Sequence, residues 1–158
     1  MSSERLARVV FALLVTACFA ALLATQRLKH TPTLVQEFKL TKVIAPASGG
    51  EAREEHIAFK LANADVVTVT IESSSGETVA TLLRDLPVRR YKIVSLRWNG
   101  RRGEAHGYGV LRKSDGYTTL VPRNRGRFAP PGEYTVRVSL RREDRSIPSS
   151  RTFKLVGP

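Results

Sequence analysis

Three histidines, one cysteine and a cluster of cations are the residues of this chain whose types could do chemistry. His30, His56 and His106 lie in three separate segments, and no Cys/His/Asp spacing suits a zinc ion. His106, Ser114 and Asp115 carry the side-chain types of a hydrolytic triad. Closeness in sequence is not triad geometry, however, because such groups meet through the fold. No G-x-S-x-G, no paired-carboxylate signature and no phosphate-binding glycine loop occurs. The residues predict no catalytic group, no metal site and no cofactor. What remains is charge. Arg101, Arg102, Arg112, Lys113, Arg123, Arg125 and Arg127 crowd one stretch against Glu104 and Asp115, interleaved with Tyr108 and Tyr117. Cations beside aromatic rings could hold an anionic polymer or single-stranded nucleic acid. The competing reading is a solvated flap that covers a sheet edge.

The whole chain shares that bias. It has 158 residues, 26 Lys and Arg against 14 Asp and Glu, and a formal net charge of +12. An arginine-rich but ordinary soluble surface would give the same excess. Hydrophobic residues make up 42%, enough for a packed core. Cys18 is the sole cysteine, so no internal disulfide is available to staple the fold.

The elements that position these residues fall into two parts. Val9 to Gln26 is an uncharged, apolar run between Arg8 and Arg27. As a helix at about 1.5 Å per residue it spans roughly 27 Å, close to a hydrocarbon core. The expected organisation is a cytoplasmic tail at 1–8, a transmembrane signal-anchor at 9–26 and a stalk at 27–33. The competing readings of 9–26 are a cleaved signal peptide and, because Val15-Thr16-Ala17-Cys18 resembles a lipobox, lipidation at Cys18. Flanking charge separates the two orientations only weakly. A short tail before a large domain favours the N-terminus inside.

From residue 34 onwards the chain reads as β. Ile57, Phe59 and Leu61 alternate, as do Val67, Val69 and Ile71, then Val94, Leu96 and Trp98, then Tyr134, Val136, Val138 and Leu140. Leu34 to Ile44 reads as a first strand, Glu77 to Leu83 as another, and 151–156 as the last. Arg141 to Ser146 reads as a polar turn. Asn99-Gly100 and Pro131-Gly132 supply turn chemistry. About seven short strands with turns between them predict a β-sandwich of immunoglobulin-like or fibronectin-III-like type over 34–158. Trp98 and Tyr134 could line a carbohydrate site, but their place on apolar strand faces predicts core packing. Gly103 to Arg127, within an insertion at about 101–129, is expected to project as a hairpin or flap. Its Val110, Leu111, Leu120 and Val121 should rest on the sandwich.

The order of five segments carries a resemblance: Ile57 to Leu61, Val67 to Ile71, Gly76 to Leu82, Leu96-Arg97-Trp98-Asn99-Gly100 and Pro131-Gly132-Glu133-Tyr134. Together they resemble the immunoglobulin-like domain of the flagellar hook-cap protein family FlgD, over about Ile44 to Val156. Asn99 stands where that family usually has Asp, and the stretch from Trp98 to Tyr134 is longer than the family's. The resemblance implies a non-catalytic sandwich, placed outside the cytoplasm, with a structural, adhesive or protein-interaction role in a bacterial-type cell envelope. It does not imply flagellar assembly. The expected partners are the membrane, another envelope protein or an anionic wall polymer. An extracytoplasmic location disfavours nucleic acid.

Overall fold

The computed structural model describes residues 10–22, 33–48, 50–112 and 118–157. The chain separates into two compact units, Met1–Thr33 and Leu34–Pro158.

In the first unit, residues 10–22 are helical and every one of them is exposed. The apolar side chains stand outward all round, including Phe11 at 70% and Phe19 at 63% of full exposure. No helix among the described residues is long and apolar enough to cross a membrane. Both ends of the expected 9–26 span lie outside the described residues.

The second unit is an all-β sandwich of two sheets. One runs β1 (Val35–Leu40), β3 (Glu55–Leu61), β6 (Ile93–Trp98), β9 (Thr118–Pro122), β8 (Tyr108–Arg112). The other runs β2 (Val43–Ile44), β12 (Phe153–Leu155), β10 (Gly132–Leu140), β4 (Asp65–Ser73), β5 (Thr78–Val88), β7 (Gly103–Glu104), with β11 (Arg145–Pro148) hairpinned onto β10. Alternation decides which side chains face in. Ile57, Phe59 and Leu61 of β3 meet Val67, Val69 and Ile71 of β4 and Val136 and Val138 of β10 in one buried cluster. Central pairing sets Val69 against Val138 and Ile71 against Val136. Burying such a side chain contributes about 1.5–3 kcal/mol, so a one-residue slip that turned these faces outward would be prohibitive.

The expected first strand is in fact two. Val35–Leu40 pairs antiparallel with β3, whereas Val43–Ile44 crosses to the other sheet and runs parallel to β12. The crossing point is held by Glu55, whose Oε1 accepts the Thr41 backbone N–H at 2.7 Å. Earlier in β1 a bulge sets Glu37 and Phe38 together against Phe59, with Glu37 at φ 52°. The Phe38 and Phe59 rings stack there at 5.6 Å. Where a polar turn was expected at 141–146, the chain turns and then pairs again as β11. The buried carboxylate of Asp65 accepts the N–H groups of Val66, Arg142 and Glu143 and ties that turn down.

Candidate functional site

Trp98, Asn99 and Gly100 form the corner on which the insertion hangs. The Trp98 ring is fully buried between the sheets, edge-on to Tyr134 of β10 at 6.0 Å and to Phe153 of β12 at 5.9 Å. Tyr134 is buried as well, and its hydroxyl donates to the Pro130 carbonyl at 2.5 Å. No ring face of this pair is offered to a sugar. The Trp98 indole N–H donates to the Arg101 carbonyl, and Asn99 Oδ1 accepts the Arg101 N–H. Gly100 has φ 76°, and a Cβ there would lie 2.9 Å from Pro46 Cγ. This position therefore requires glycine on two counts.

The expected hairpin forms, as β8 with β9, but the described part of the segment pairs with the sheets instead of projecting from them. Its two ends are sewn together: Arg101 bridges Phe128, Arg102 N–H donates to the Arg127 carbonyl, and Ala129 N–H donates to the Gly100 carbonyl. The close approach of Gly126 to Arg102 leaves no room for a Cβ, which would sit 2.4 Å from the Arg102 oxygen. β7 then adds to β5 in parallel, and the hairpin β8–β9 adds to β6, again in parallel. The insertion thus widens both sheets. Asn124 fastens it. This side chain is buried, and its Nδ2 donates to the carbonyls of Gly103 (2.6 Å) and Thr81 (3.2 Å). Of the four apolar residues expected to rest on the sandwich, Leu120 packs on the core and Val121 is half-buried. Val110 and Leu111 are exposed at 54% and 45%.

The side chains of five of the seven cations are described, and these five divide between structural contacts and open exposure. Arg101 is turned to structure: its guanidinium lies 4.2 Å over the Phe128 ring and donates to the Gly126 carbonyl. Arg102 pairs with Glu77 at 3.2 Å. Lys113 and the side chain of Arg112 lie outside the described residues. Arg123, Arg125 and Arg127 are exposed along the strap that follows β9. Beside the Trp98 corner, Arg53, Glu54, Asn99, Arg101 and Phe128 line an open cavity of about 370 Å³.

The remaining titratable groups are scattered. His106 Nδ1–H donates to the Glu104 carbonyl at 3.0 Å, whereas Ser114 and Asp115 lie outside the described residues, as does His30. Among the described residues no group of three metal-ligating side chains comes together. Glu55 is the unexpected member. Its carboxyl is fully buried, and burial pushes it up to about 8 against the partial relief of the Thr41 N–H bond. Its other oxygen has no hydrogen-bond partner. The phase of β3 was the available signal, since Glu55 stands in step with Ile57, Phe59 and Leu61 on the inward face. Asn124 gave no such signal, because a lone Asn among arginines reads as a loop.

No family model matches the chain, and a search of curated proteins finds no match either.

Proposed function

We propose that this chain is a non-catalytic, membrane-anchored module of the cell envelope. Its sandwich is of immunoglobulin-like, FlgD type and lies outside the cytoplasm, where it holds or contacts other envelope components. One observation carries the reading: residues 10–22 form a helix that is apolar and exposed on every side. Helices that are hydrophobic all round belong in protein interiors or in lipid, and the uncharged sequence continues to Gln26. The sandwich supports the rest. The Trp98-Asn99-Gly100 corner and the Tyr134 hydroxyl bond lie in two of the five segments through which the sequence resembles the FlgD domain.

A reporter fused after Pro158 tests topology. Activity of a reporter that works only outside the cytoplasm is expected. A signal only from a cytoplasmic reporter would overturn the reading. It would favour the second one, a basic module for an anionic polymer or nucleic acid, which rests on exposed Arg123, Arg125 and Arg127. Intact mass of membrane-extracted protein should show residues 9–26 retained.

A further inference from the structure

Among the described residues, strand β8 is an edge whose only protection is Arg112 at its end, whereas the other edges carry more. β1 has a bulge at Glu37. β2 and β7 are two residues long. The part of β5 beyond β7 contains Arg84, Pro87 and a positive φ at Asp85. β11 begins with Arg145 and ends with Pro148. Bulges, prolines, charges and short length are the devices that stop a sheet from recruiting another strand. β8 pairs with β9 over five residues without a register shift, and Tyr108 to Leu111 contains neither proline nor charge.

Its backbone direction follows from one bond. Arg123 N–H donates to the Gly107 carbonyl. Antiparallel ladders alternate, so Gly109 and Leu111 turn their N–H and C=O groups to β9. Those of Tyr108, Val110 and Arg112 point out of the sheet edge. Beside that edge, Leu86, Pro87, Ile93, Tyr108 and Leu120 line an apolar cleft of about 190 Å³, with Lys92 also in its wall. Tyr108, Val110 and Ile93 remain exposed.

We infer that β8 is a docking edge that takes an extended segment of a partner protein by strand addition. The partner's apolar side chains would enter the cleft, and its carboxylates would answer Lys92 in the cleft wall and the net positive charge of the chain. Charge selects the occupant. A net charge of +12 opposes a second copy of the chain and favours an acidic partner. The inference stands on β8 alone, so it holds or fails separately from the membrane reading.

The test uses the full-length chain in detergent with a short synthetic peptide that alternates valine and glutamate, and a control with lysine for glutamate. The acidic peptide should bind and slow hydrogen exchange at the Tyr108, Val110 and Arg112 amides. Val110→Pro removes an outward N–H and no β9-facing bond, so it should abolish binding while the unfolding temperature holds. Val110→Glu leaves the backbone intact and carries the test if the proline disturbs folding. Repulsion should then weaken binding by about tenfold or more. Binding unchanged in both variants, or equal binding of the lysine peptide, would overturn the inference. So would a wild-type dimer, seen by sedimentation, that Val110→Pro dissolves.

Discussion

The indole N–H of Trp98 donates to the carbonyl of Arg101 at 2.8 Å. The largest side chain of the core is thereby fastened to the first residue of the insertion. The same three-residue corner closes β6, orients the strap through Asn99 and packs Gly100 against Pro46. Core and insertion therefore share one keystone.

Trp98→Ala should cost about 3–5 kcal/mol, the range for large aromatic truncations, because the ring touches both Tyr134 and Phe153. Trp98→Phe keeps most of the ring and loses the donor, which isolates the bond to Arg101. Its cost should be about 1–3 kcal/mol. Urea unfolding checks both, and an unchanged midpoint for Trp98→Ala would remove Trp98 from the keystone role.

The strongest strands were legible because both their faces are unambiguous. Val67, Val69 and Ile71 alternate with threonines, and Tyr134, Val136 and Val138 do the same with polar partners. The break of Leu34 to Ile44 was not legible. Its alternation continues through Thr41, and the bonds that Thr41 makes to Glu55 and to the His56 N–H, both remote in sequence, mark where the chain changes sheets. β11 escaped for the opposite reason. Its residues are mostly exposed, so no periodicity marks it. The insertion looked like a flap because its few apolar residues cannot form a core. Parallel pairing to β5 and β6 needs backbone groups alone, and sequence pattern does not report those.

Asn124 should be indispensable where the hairpin is not. Gly107 and Arg123 are hydrogen-bonded neighbours, so excising residues 108–122 and joining the ends with a short glycine-containing link should leave a folded sandwich. The losses are the cover given by Leu120, about 1–3 kcal/mol, and the pairing of β9 with β6, including the bond between Thr119 and Ser95. Excising 103–127 also removes β7 and the Asn124 bonds, and it should lower the urea midpoint further. Asn124→Leu in the intact chain takes the side-chain donor from the Gly103 carbonyl and leaves the Thr81 carbonyl with the Ala105 N–H alone, at about 1–3 kcal/mol. Faster exchange of the Ala105 amide, which donates to Thr81, would locate the damage at β7. Equal stability of the two deletions would refute this division of roles.

Exposed Arg123, Arg125 and Arg127 should govern any retention of the chain on anionic polymer or anionic vesicles. Changing all three to glutamine should reduce it, whereas Arg101→Gln should act on stability instead, because Arg101 is engaged with Phe128 and Gly126. Retention should also fall with added salt, since exposed charges are screened beyond about 8–10 Å at physiological ionic strength. Salt-independent retention would point to apolar contact.

Glu55 should make the stability of the sandwich depend on pH. Its carboxyl is raised from 4.5 to about 8 by burial, so the folded chain keeps a proton that the unfolded chain releases. The sign follows from linkage: where the folded state binds more protons, stability falls as pH rises. The contribution is full below about 4.5, shrinks as pH climbs, and is gone above about 8. Glu55→Gln keeps an oxygen for the Thr41 N–H and cannot ionise. It should therefore be more stable than wild type above that window and should flatten this part of the profile. Glu55→Leu removes the acceptor as well, which leaves the Thr41 N–H unpaired at the point where the chain crosses between sheets. It should flatten the profile too, but at lower stability than Glu55→Gln. Urea midpoints of the three proteins across the window decide the matter. Parallel profiles for wild type and Glu55→Gln would show that Glu55 is ionised throughout and that its second oxygen is reached by solvent.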